Sequence, residues 1–75
     1  MINRYDELAR LGKAIRELRM NRSLSEPDLA RKAGLTKPRL NGIEAGETEP
    51  NVLELAKLAK ALEVPTESLV ATAGL

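Results

Sequence analysis

Between Ala33 and Thr36 the chain reads AGLT, and this stretch constrains the fold more than any other. Gly34 offers a positive φ that ends a helix sharply. Leu35 is apolar and can plug a core. Thr36 is an N-cap residue, and Pro38 behind it suits a first helical turn. Ser25 with Asp28 makes a matching start upstream, with Pro27 again in the first turn. Two short helices joined by a tight turn follow, the second left protruding while the turn residue pins both to the core. This is the layout of a helix-turn-helix.

The rest of the chain brackets itself in the same way. Leu8, Leu11, Ile15 and Leu18 recur at spacings of three and four, one face of a first helix. Asn3 with Asp6 is expected to cap its start, and the helix should fade around Arg19 to Asn21. The second helix runs through Leu29, Ala30 and Ala33. The third turns Leu40 and Ile43 inward and closes at Gly46. Asn51 with Glu54 caps a fourth, with Val52, Leu55, Ala56, Ala59 and Leu62 as its expected stripe. Pro65 breaks the chain, and Thr66 to about Thr72 makes a last short helix. No hairpin signal, repeat or linker interrupts this pattern. The expectation is an all-α, compact five-helix fold, one domain over residues 1–75.

Composition narrows the function. A chain of 75 residues makes one small domain. Tyr5 is its sole aromatic, so the core must be aliphatic, and Tyr5 is expected to cover that core rather than stack on a base. Cysteine and histidine are both absent. No disulfide, no thiolate or imidazole metal site and no histidine base is available. Carboxylates do not cluster and no glycine-rich loop cradles phosphate. The expectation is a protein that is not an enzyme and uses no metal or cofactor. No apolar run could span a bilayer, and "MINRYDELAR" lacks a signal-peptide core, so a cytoplasmic protein is expected.

The net charge of +1 hides a gradient. Residues 1–46 carry +4 and residues 47–75 carry −3. Contact with a polyanion should therefore lie toward the N-terminal side. In the third helix, at about 100° per residue, the side opposite Leu40 and Ile43 centres on Pro38 and Ala45. Asn41 and Gly42 flank that centre, and Lys37 and Arg39 lie toward its sides. Small residues there let the backbone approach base edges. Asn41 suits adenine, Lys37 or Arg39 guanine or phosphate, and Pro38 a thymine methyl. Arg22, just before the second helix, is the first backbone candidate among the remaining cations, followed by Arg31 and Lys32. Arg4, Arg10, Lys13 and Arg16 are read as solubilising.

The pieces "IRELR", "DLARKAGLT", "IEAGE" followed by "EP", and "LAKLAKALEVP" together resemble the XRE family, the DNA-binding domain of phage repressor and Cro-like regulators. The resemblance covers about residues 11–70. It implies a five-helix domain whose third helix enters the major groove of double-stranded DNA, with base-reading positions at Lys37, Pro38 and Gly42. It implies that Arg19 and Glu44 pair between the first and third helices, lock the reader helix and aim the arginine at a phosphate. Backbone contacts are expected from Arg19, Arg22, Ser25, Glu26 and Thr36. Two departures stand out. Glu26 replaces the usual glutamine, and Glu47 and Glu49 occupy a loop that is usually basic. Each weakens attraction to phosphate.

Two functions follow from different classes. The first is a sequence-specific transcriptional regulator, a homodimer on a palindromic operator, paired through its last helices as the family commonly is. Leu53, Leu58, Val70 and Leu75 are apolar residues beyond what the core needs, which makes Leu53, Val70 and Leu75 the dimer candidates. The second is an antitoxin or protein-interaction module that binds a protein partner such as a toxin. The acidic last third favours it slightly.

Overall fold

The computed structural model describes residues 4–75, so the Asn3–Asp6 cap lies outside the described residues. Five helices follow one another: α1 Arg4–Asn21, α2 Glu26–Ala33, α3 Lys37–Glu44, α4 Val52–Ala61 and α5 Thr66–Thr72. Their starts are chemical. Ser25 Oγ accepts from the Asp28 amide and Asp28 reciprocates, a complete capping box. Asn51 and Glu54 form a second. Thr36 Oγ1 accepts from the Arg39 amide. Gly34 takes φ 70° and ends α2, as a left-handed cap requires.

The core is aliphatic, as one aromatic residue dictated. Ile15, Leu29, Leu40, Ile43, Leu58, Leu62 and Leu69 are its largest fully buried side chains, and every helix supplies at least one. Tyr5 is 79% exposed and does not cover it. The α4 stripe also departs from expectation. Leu58 is fully buried, not spare, while Val52 is 82% exposed and Ala56 lies at the surface. The reason is rotation. A face built on Leu55, Leu58, Ala59 and Leu62 has its centre about 110° from Ala56 and about 170° from Leu53. Val52 lies about 70° off that centre in the first turn.

Gly12 sets how α1 meets α3. A Cβ at Gly12 would stand 2.5 Å from the carbonyl oxygens of both Ile43 and Glu44. The end of α3 therefore lies almost against the α1 backbone. This contact brings Glu44 beside Arg19, which lies one turn beyond Ile15 and two turns beyond Gly12 on the same helix.

Candidate nucleic-acid interface

The protruding helix is α3. Leu40 and Ile43 hold its inner side at 0% and 1% exposure. Lys37, Pro38, Asn41 and the capping residue Ala45 are exposed. These positions recur at i, i+1, i+4 and i+8, which is one face of a helix. Lys37 has no hydrogen bond or ion pair with any described residue, so its ammonium is available. Gly42 is only half-exposed. Its missing side chain points at Thr48, whose Oγ1 would lie 2.9 Å from a Cβ there. It thus lets the α3–α4 loop close down on the helix, a role its place in the sequence did not reveal.

Two ion pairs fix the pose of α3. The first is Arg19–Glu44. Arg19 Nε donates to Glu44 Oε2 at 2.8 Å and Nη2 to Oε1 at 3.1 Å. Nη1 donates to the Leu24 carbonyl at 2.9 Å. The side chains are 13% and 4% exposed. The bidentate geometry ties α1 to the end of α3 and also holds the loop before α2. Burial raises the Glu44 carboxyl above its ordinary value, and neighbouring Glu26 adds to this, while Arg19 opposes both.

The second pair is absent from the sequence expectations. Arg39 Nε and Nη2 donate to Glu54 at 2.8 and 2.7 Å, and Nη2 also reaches the Glu49 carbonyl at 3.2 Å. Arg39 was a base-reading candidate, yet its guanidinium clamps α3 to the capping box of α4. The hydrogen bonds from Arg39, then that from the Asn51 amide, hold the Glu54 carboxyl down at about 2. A depressed carboxyl stabilises the fold above its ordinary value of 4.5 and loses that contribution as pH falls toward 2. Arg39→Ala should therefore melt below the parent chain at neutral pH, and the gap should narrow from about pH 4.5 downward. Paired thermal melts across that range check this, and a gap independent of pH would sink it.

The remaining candidates divide. Ser25 and Thr36 are exposed, and each uses only oxygen lone pairs in capping, so each hydroxyl hydrogen is left to donate outward. Glu26 opens α2 and accepts from the side-chain Nδ2 of Asn41 at 3.4 Å. Arg22 is turned to Glu63, bonding its carboxylate at 3.2 Å and its carbonyl at 3.4 Å. Arg31 pairs with Asp28 at 2.9 Å. The Ser25 hydrogen bond, followed by that from Arg31, lowers the Asp28 carboxyl. Arg31 and Lys32 share a cleft with Lys57 and Lys60 at the C-terminal end of α2, not the exposed face of α3. In the loop after α3, Glu49 is met by Arg4 at 3.1 Å, whereas Glu47 has no partner among the described residues. Only one of the two loop carboxylates is thus left uncompensated.

Comparison with known proteins agrees with this architecture. The helix-turn-helix family model HTH_3 matches residues 15–69. The restriction-modification controller protein C.AhdI from Aeromonas hydrophila is 34% identical. It superposes with a TM-score of 0.81 over 83% of this chain and 94% of that one. An HTH_3 family transcriptional regulator from Vibrio cholerae is 29% identical, with a TM-score of 0.85 over 92% of this chain and 39% of that one. The clp gene regulator ClgR from Corynebacterium glutamicum shares the fold at 24% identity and a TM-score of 0.87, over 91% of this chain and 72% of that one. No curated protein sequence matches the chain. An all-helical fold, a capped turn at Gly34 and a family match over most of the length converge: the chain belongs to the XRE-type helix-turn-helix family HTH_3.

Proposed function

We propose that this chain is a sequence-specific DNA-binding transcriptional regulator that lays α3 in the major groove of double-stranded DNA and acts in the cytoplasm as a homodimer. One observation carries the reading. The outer face of α3 is small and exposed, bears the unpaired Lys37, and is held in place by ion pairs to both α1 and α4. A rigid helix with short side chains brings its backbone near base edges, where Asn41 meets adenine and Lys37 meets guanine or phosphate. Arg39 acts here as a positioning residue. Similarity to a controller protein and to an HTH_3 transcriptional regulator supports the same role.

A homodimer fits the surface. Leu53, Val70 and Leu75 are 63%, 36% and 47% exposed. Val70 and Leu75 border one shallow apolar groove with Ala71. A dimer joined there offers two copies of α3 to a palindromic site, with half-sites about one helical turn apart.

The experiment selects bound sequences from a random duplex pool, then measures affinity for one selected and one random duplex at several salt concentrations. Lys37→Ala should cost about 1–3 kcal/mol on the selected duplex if Lys37 reads a base, and relax preference at one base pair. If it holds only phosphate, both duplexes weaken alike and the salt slope falls by about one. Sedimentation should show a dimer on DNA that Leu53→Glu weakens. Failure to enrich any sequence, with affinity untouched by Lys37→Ala and Asn41→Ala, would leave α3 outside the groove. A module that binds a protein partner such as a toxin would then replace this proposal.

A further inference from the structure

Glu26 is the first residue of α2 and is half-buried. Its Oε1 accepts from the side-chain Nδ2 of Asn41 at 3.4 Å. Asn41 stands on the exposed face of α3, so a duplex that touches Asn41 also comes up against Glu26. The groups that a duplex most often offers at such a place, phosphate oxygens and base acceptors, are electron-rich. An ionised carboxylate has only lone pairs to offer in return.

The surroundings make this worse. Glu44 is 9% exposed, and the Glu26 carboxylate is among the groups that push its carboxyl up, after burial itself. Arg19 of α1 is the cation paired with Glu44, and all three of its nitrogens already donate to Glu44 or to the Leu24 carbonyl. From α3 come Glu44 and the uncharged Asn41, with the unpaired Lys37 one turn before Asn41 on the same exposed face. The lysines of α4, Lys57 and Lys60, face the cleft at the far end of α2 with Arg31 and Lys32. None of the Arg19 bonds reaches Glu26. An arriving phosphate adds a further negative charge. One proton relieves the crowding: adjacent carboxylates hold a shared proton well, and a protonated carboxyl gains a hydrogen to donate.

We propose that Glu26 is a DNA-contacting residue that takes up a proton, shared with Glu44, when a duplex binds, so that affinity for DNA rises as pH falls. This rests on the DNA-binding function proposed above. The sign follows from linkage. A carboxyl more easily protonated in the complex than in the free chain makes the complex the proton-richer state, and acid favours that state. Burial of Glu44, which already pushes its carboxyl up, acts in the same direction. The chain has no histidine and no cysteine, so no other side chain of ordinary pKa titrates between about pH 5.5 and 7.5. The α-amino group begins to titrate at the upper end of that window, so the pH effect that reports on perturbed carboxylates is the part that Glu26→Gln abolishes.

The test measures dissociation constants by fluorescence anisotropy on a labelled mixed-sequence duplex. Ionic strength is low and constant, and pH runs from about 5.5 to 7.5. The intact chain is compared with Glu26→Gln and Glu26→Ala, each checked for folding by a thermal melt. The parent chain should tighten as pH falls, by at most about tenfold per pH unit, the limit for one proton. Glu26→Gln, which carries a permanent donor of the same shape, should be flat with pH and tighter than the parent at the alkaline end. Glu26→Ala should be flat as well. A parent affinity independent of pH overturns the proposal and leaves DNA binding standing. So does a pH slope retained in either variant. Absence of binding by all three chains at every pH overturns the DNA-binding function, and this proposal with it.

Discussion

Glu44→Ala is expected to cost the fold about 3–5 kcal/mol, the usual penalty for removing one side of a buried ion pair. The Arg19 side chain is 13% exposed and would keep its charge with only the Leu24 carbonyl as a partner. Small domains hold only about 5–15 kcal/mol in all, and each kcal/mol moves the melting point of a chain this size by about 4–8 °C. The variant should therefore be largely unfolded or melt far below the parent. A double replacement, Arg19→Leu with Glu44→Leu, should recover much of the loss, since two apolar side chains leave no buried charge behind. Its DNA affinity should stay low if the pair also sets the pose of α3. An unchanged melting point for Glu44→Ala would show that the pair adds nothing to stability, whatever its geometry.

Gly12→Ala should also be strongly destabilising, although local chemistry argues the reverse. Alanine is favoured over glycine in a helix interior by about 1 kcal/mol. Against this, the new methyl would lie 2.5 Å from two carbonyl oxygens and 2.9 Å from the Glu44 carbonyl carbon. These are backbone atoms, so no rotamer change relieves them. The two helices must separate, and overpacking of this kind costs about 1–3 kcal/mol or more. The tertiary term wins, and it also pulls Glu44 away from Arg19. Gly34→Ala is the control. Nothing lies within 4 Å of its Cβ position, so only the φ of +70° opposes the substitution, at about 1–2 kcal/mol. Urea melts of both variants measure the difference. A stabilised Gly12→Ala would mean that α1 and α3 do not approach so closely.

These two cases mark where legibility stops. The helix starts were readable because capping couples residues at most a few positions apart. Ser25 with Asp28, Thr36 with Arg39, and Asn51 with Glu54 all bond within three residues. The Arg19–Glu44 pair was reached through family resemblance, not through spacing. Arg39 shows the limit. Its exposed-face position in α3 suggested a reader, and Glu54 was assigned to a cap. Their meeting across 15 residues depends on how the loop after Gly46 returns α4 past α3. The same limit hid Arg22's turn toward Glu63 and the contact of Gly42 with Thr48.

Periodicity and punctuation alone thus determined the number of helices, the N-caps of α2, α3 and α4, the tight turn at Gly34 and the inward sides of α2 and α3. Each of these depends on bonds within one turn or on a repeat along one helix. Tertiary structure decided which way α4 is rotated, so that Leu58 is core and Leu53 is surface. It also decided which cations are spent inside the molecule and which, like Lys37, remain free. Those outcomes depend on the distances and angles between helices. Close contacts set these distances, above all Gly12 against the end of α3, and a linear pattern of residue types does not contain them.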